Sequence, residues 1–173
     1  VYLRNGTIHG LSPRMRFDTV GNSLAGSAVA AGVVRVWSDG KPWRPVVHVE
    51  DVCAAFRAAL EAPREAIHNE AFNVGAEFVN IQIGELGRAV AEASGARLEL
   101  VAQPDADQRT YRTSFEKIRR HLPAYQPRWS PAEGARRLVE ELRMLGLTQA
   151  QFGDPRFTRL RWLERLTNSG RLS

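Results

Sequence analysis

Cysteine occurs once in these 173 residues, at Cys53. One thiol excludes an internal disulfide and suits a reducing compartment, so a cytoplasmic protein is expected. No apolar run approaches the ~20 residues a membrane-spanning helix needs. Neither common phosphate loop, G-x-G-x-x-G or G-x-x-x-x-G-K-[ST], occurs. His9, His48, His68 and His121 stand far apart, and no C-x-x-C or H-x-x-x-H pair exists, so no metal site is expected. No G-x-S-x-G frames a nucleophilic serine.

What remains is the composition of a folded domain. The chain is 43% hydrophobic and 25% charged, which suits one domain, or one domain plus a piece of another. The opening "VYLRNGTIHG" reads as the middle of something, so a fragment or processed piece is expected. The net charge of +5 comes mostly from arginine. An anionic partner or solvated helix faces would each account for it. The arginines are dispersed, and the densest group (Arg156, Arg159, Arg161, Arg165) shares a segment with Phe157, Leu160, Leu163 and Leu166 at helical spacing. Neither nucleic acid nor membrane is expected as a partner.

The pattern alternates strand and helix, then becomes helical. Strands are expected at Val1–Arg4, Val33–Trp37, Pro45–His48, Ala71–Val74 and Leu98–Val101. Asp18 is placed to cap a helix ending at Gly32, and Asn80 one ending at Gly95. Glu50 and Asp51 open a helix whose buried stripe is expected to be Val52, Phe56, Ala59 and Leu60. A polar loop, "QPDADQRTYR", precedes a helix near 114–120. Ser130-Pro131-Ala132-Glu133 has the form of a capping box, Thr148 and Gln151 repeat it, and Asp154-Pro155 begins the last helix. The order argues for an α/β protein with a helical cap.

Few residues stand out for chemistry. Cys53 falls on the apolar side of its helix and is expected in the core. His48 sits where a strand meets a helix, as a general base or as a hydrogen-bonded corner residue. Asp51 suits the first helical turn. Arg44 precedes a strand and Arg109 lies in the polar loop, so helix solvation accounts for neither. A guanidinium there either holds an anion bidentately or is a surface charge.

Several segments in order, "LRNGTIHGLSPRMRFD", Asn22, "DGKPWRPVVHVEDV", "AFNVG" and "DQRTYRTSFEKI", resemble the extended short-chain dehydrogenase/reductase superfamily. The closest group is the NAD-dependent epimerase/dehydratases of nucleotide sugars. The resemblance covers roughly residues 1 to 130. It implies the C-terminal portion of an NAD(P)-binding Rossmann-type α/β enzyme with a mostly helical substrate-binding subdomain. Residues 1–10 and 49–76 would be late elements of the Rossmann sheet. Residues 11–48 and 77–173 would form the substrate-binding subdomain and helical tail.

The same resemblance implies site residues. Asn5 and Gly6 would approach the nicotinamide end of NAD or NADP, whose main binding loop belongs to the family's N-terminal half. Thr7 falls where many members place a substrate-contacting asparagine. Arg44 and Arg109 would hold the diphosphate of a nucleotide-diphosphate sugar, Asn22 would approach that diphosphate or the adjacent sugar, and Asp107 would meet the ribose. His9 takes a place often held by tyrosine or threonine. His48, Asp51 and Asn73 match structural positions. The family's Tyr-x-x-x-Lys is not here: Tyr2, Tyr111 and Tyr125 have no lysine four residues on. No catalytic residue is therefore assigned, and whether the chain is itself an enzyme stays open. A homodimer of a full-length protein is compatible with the resemblance. The alternatives are a non-catalytic nucleotide- or protein-binding module and a truncated remnant.

Overall fold

The computed structural model describes residues 1–101 and 109–172. Its strands are β1 (Tyr2–Asn5), β2 (Thr7–His9), β3 (Val33–Val36), β4 (Trp43–His48), β5 (Ala71–Val74), β6 (Asn80–Gln82) and β7 (Arg97–Leu100). Its helices are α1 (Val20–Ala31), α2 (Val49–Glu61), α3 (Arg64–Ile67), α4 (Ile83–Ser94), α5 (Glu116–His121), α6 (Pro131–Met144), α7 (Gln149–Phe152) and α8 (Arg159–Asn168).

Three small sheets organise the strands. β1 runs parallel to β5, with Tyr2 opposite Ala71 and Asn5 opposite Val74. β2 runs parallel to β4, which pairs antiparallel with β6. β3 runs parallel to β7. Parallel partners need long crossovers, and helices supply them here.

Two cores result. The first gathers Val47, Val52, Ala55, Phe72 and Val74 with Phe115, Ile118 and Leu122 of the α5 region. The second gathers Leu24 and Ala25 of α1, Val34 and Val36 of β3, Leu86 of α4 and Leu138 of α6. Tyr125 joins Phe115, Ile118 and Leu122 in the first core, beside β5 and α2.

Several expected signals act as written. Gly32 and Gly95 close α1 and α4 in the left-handed conformation. Ser130 and Glu133 form a full capping box, as do Thr148 and Gln151. Asp154 caps a short 3-10 turn at 155–157, and α8 follows it.

Others differ. Thr19, not Asp18, stands at the start of α1 and makes no side-chain cap bond, while Asp18 is ion-paired with Arg16 at 2.8 Å. Asn80 belongs to β6 and not to a helix cap. Its side chain accepts from Thr113 N at 2.9 Å and donates to Thr113 O at 3.0 Å. Phe56 and Leu60 are 51% and 85% exposed. Cys53 is exposed as well. The buried face of α2 is Asp51, Val52, Ala55, Ala58 and Ala59. Small alanines bring this helix close to the sheet, and the larger side chains are rotated off that face.

Candidate functional site

The stretch 37–48 builds one wall of a cleft. Ser38, Asp39 and Gly40 make the turn after β3, with Gly40 at φ 80°, a value that favours glycine. A side chain there would also meet the Cα of Gly84 at 3.0 Å. Gly84 N–H donates to the Gly40 carbonyl at 2.8 Å, so the turn rests on the start of α4. β4 then leaves this turn with Arg44 as its second residue.

Arg44 is 9% exposed. Its Nη1 donates to the Trp43 carbonyl at 2.9 Å, and its guanidinium lies 5.2 Å from the Tyr111 ring centre. Such a cation over an aromatic face is favourable and fixes the guanidinium plane.

The segment carrying Arg109 and Tyr111 is pinned at two places. Trp43 N–H donates to Thr110 Oγ1 at 3.0 Å, and Tyr111 N–H to the Trp43 carbonyl at 3.3 Å. Farther on, Asn80 and Thr113 exchange the two bonds given above. This docking brings Arg109 to the same cleft as Arg44, although 65 positions separate them.

The cleft has a volume of about 640 Å³. Thr7, Arg35, Trp37, Arg44, Arg109 and Tyr111 are among its lining residues. Glu99 holds Arg35 at 3.0 Å, and the Arg35 guanidinium sits 5.3 Å from the Trp37 ring. Among the described residues, Asp18 is the acidic one in the lining. Its carboxyl is held below the usual range, first by Arg16 and also by the Arg159 N–H. Among the described residues, Arg35, Arg44 and Arg109 bring three guanidiniums to the lining, a donor type suited to an anionic group.

The expected residues therefore divide. Thr7, Arg44 and Arg109 meet in one cleft. Asn22 is 5% exposed and does not line it. Its Oδ1 accepts from Gly10 N–H at 3.1 Å and its Nδ2 donates to the Arg16 carbonyl at 2.9 Å. Asn5 is exposed at the end of β1. A side chain on Gly6 would stand 2.7 Å from the Pro45 carbonyl oxygen, so Gly6 is set by the approach of β4. Asp107 lies outside the described residues.

The corner residues bond to backbone. His48 caps α2, its Nδ1 accepting from Glu50 N–H at 3.3 Å. Asp51 accepts from the backbone of Arg128 and Trp129 at 2.9 and 3.0 Å. Asn73 Nδ2 donates to the Ser114 carbonyl at 3.1 Å. His9 is opposite His48 in the β2–β4 register, with the rings 5.3 Å apart and edge to face. Burial, with His48 nearby, lowers the His9 pKa to about 3.

Sequence reasoning did not single out Trp37, Arg35 or Tyr111 as part of this site. Period-two alternation was the available signal: Val34 and Val36 are buried, so Arg35 and Trp37 point the other way.

The family model described as "NAD dependent epimerase/dehydratase family" matches residues 3–75. No curated protein matches the chain. UDP-glucose 4-epimerase from Thermotoga maritima, solved with UDP-glucose, is 27% identical with a TM-score of 0.69, over 83% of this chain and 45% of that one. UDP-glucuronic acid 4-epimerase from Bacillus cereus, solved with UDP-glucuronic acid and NAD, is 23% identical, TM-score 0.68, over 84% and 45%. dTDP-glucose 4,6-dehydratase from Bacillus anthracis, solved with NAD, is 19% identical, TM-score 0.66, over 82% and 44%. The chain thus spans a little under half the length of these solved structures. Over residues 3–75 the chain carries the pattern of the NAD dependent epimerase/dehydratase family, and its fold is that of the matching part of these Rossmann-type extended short-chain dehydrogenase relatives.

Proposed function

We propose that this chain supplies the nucleotide-sugar-binding part of an NAD-dependent epimerase or dehydratase. The observation that carries the reading is the meeting of Thr7, Arg44 and Arg109 in one cleft. A diphosphate carries charge that must be met once its water is removed, and two guanidiniums meet it with charge-assisted bonds. Thr7 adds a hydroxyl at the same cleft. Arg44 is the stronger hook of the two, since Tyr111 and the Trp43 carbonyl already orient it. Pre-orientation lowers the entropy lost on binding.

The nicotinamide cofactor would meet this chain at the carboxyl end of β1. In open α/β sheets, ligands collect at that end of the strands. Asn5 is exposed there, and the backbone at Gly6 follows it. When bound, NAD supplies a hydride acceptor for a sugar hydroxyl. This chain's share would be to bind the nucleotide and aim the sugar, using binding energy remote from the reacting carbon.

Calorimetry of the chain with UDP-, GDP-, CDP- and dTDP-sugars tests the reading. Heat with at least one of them, lost in Arg44→Ala, is the expected result. No heat with any of the four would overturn it.

A further inference from the structure

The cleft uses none of the C-terminal arginines, and the leucines that share their segment lie largely outside the core. Phe157 does pack inward, edge-to-face on Phe17 with ring centres 5.5 Å apart. Beyond it, Leu160 is 66% exposed, Leu163 is 45% exposed and Leu172 is 43% exposed. No residue of α8 is buried. The helix is fastened mainly at its start, where Arg159 N–H donates to Asp18 Oδ2 at 3.1 Å and Phe17 N–H to the Phe157 carbonyl at 2.9 Å.

α8 and its flanks have two chemistries side by side. Leu160, Leu163 and Leu166 recur every three residues, with Trp162 beside them. At about 100° per residue these four fall within one half of the helix. Arg161 and Arg165 stand one turn apart on the other half. Arg159 falls on the leucine half by the same count, Arg156 is paired with Asp154 at 2.8 Å, and Arg171 follows the helix, with Glu164 the single acid from 155 to 172. Such a pairing of exposed leucines with dense arginine fits an interface that is apolar inside and anionic at its surface.

We propose that α8 lies on anionic lipid bilayers. Its ten residues are too few to cross a bilayer, and among the described residues no helix is long and apolar enough to do so. It would rest in the headgroup layer, with leucines down, Trp162 at the boundary and arginine side chains reaching lipid phosphates. Nucleic acid would engage the arginines but has no use for exposed leucines. Because Asp18 both lines the cleft and holds the first residue of α8, docking would bring the cleft close to the membrane surface.

Co-sedimentation with vesicles tests this in the 173-residue chain. Phosphatidylcholine vesicles doped with phosphatidylglycerol should retain the protein, and pure phosphatidylcholine should not. Two double variants separate the contributions: Arg161→Glu with Arg165→Glu, and Leu160→Ser with Leu163→Ser. Circular dichroism checks that each stays folded, and each should lower retention about tenfold or more. Equal retention by both vesicles, or retention unchanged in either variant, overturns the proposal. So does absence of vesicle binding together with self-association that the serine pair abolishes, which would make a second copy the occupant. Retention by DNA that survives the serine pair, without vesicle binding, overturns it as well.

Discussion

The His48 imidazole lies stacked on the Trp129 indole, with ring centres 4.5 Å apart and planes 30° apart. Asp51 holds Trp129 there through its backbone N–H, and the indole N–H donates to Glu50 at 3.0 Å. The first turn of α2 thus fastens the segment that leads into α6. Asp51→Asn keeps the shape but loses the charge, and turns one acceptor into a donor facing an N–H. A loss of about 2–4 kcal/mol is expected in urea unfolding. A loss of only a few tenths would reduce Asp51 to a helix-dipole role.

Acid should weaken the protein through its buried histidines. Histidine titrates near 6.5 when free, whereas His9 is lowered to about 3. His48 is lowered too, chiefly by burial, with Arg137 adding to this and Glu50, Asp51 and Glu141 opposing it. The unfolded chain therefore binds protons that the folded chain refuses. This contribution is full above the free value and is lost as pH falls toward the folded one. His9→Leu removes the titration while keeping a side chain of similar bulk. Between pH 6.5 and 4, the native chain should lose about 2–3 kcal/mol more than the variant. Parallel curves would refute this.

Gly134 is a helix position where alanine should harm. In an open helix Gly→Ala gains roughly 1 kcal/mol. Here the new carbon would collide with His9 Cε1 and stand 3.1 Å from His48 Cδ2. Both rings are buried and cannot swing into solvent. Overpacking of this kind costs about 1–3 kcal/mol, so the net sign should be destabilising. Thermal unfolding of Gly134→Ala measures it, and a raised midpoint would show that the pair can shift.

Arg44 should be the most sensitive residue for binding. Arg44→Ala is expected to weaken nucleoside diphosphate binding by about ten- to hundredfold. Arg44→Lys keeps the charge but loses the planar fork over Tyr111, and should recover only part of that. Titration calorimetry of both variants with UDP ranks them. Full recovery by lysine would mean that charge alone matters.

Much of the fold could be read from local signals. Ala71–Val74 is a strand as expected, and the Ser130 box starts α6, because each signal is contained in a few adjacent residues. Asn80 misled because its partner, Thr113, is distant in sequence. Phe56 and Leu60 misled because hydrophobicity ranks them above alanine, while close packing on the sheet favours the smaller side chain. In the site, Arg44 and Arg109 were legible as arginines without a helical role. Tyr111 was not, since its place beside Arg44 depends on how the 109–113 segment docks, whereas Trp37 follows from the alternation of β3.

The strand pairings interleave. β1 joins β5 across positions 2 to 71, and β3 joins β7 across 33 to 97. Each span begins or ends inside the other, so neither core is built from one contiguous length of chain. Such distant pairings favour late, slow closure in folding. A single backbone cut between β3 and β5 would sever both pairings at once. Limited proteolysis in that interval should therefore release no piece that stays folded alone, and no shorter half of this chain should serve as an independent module.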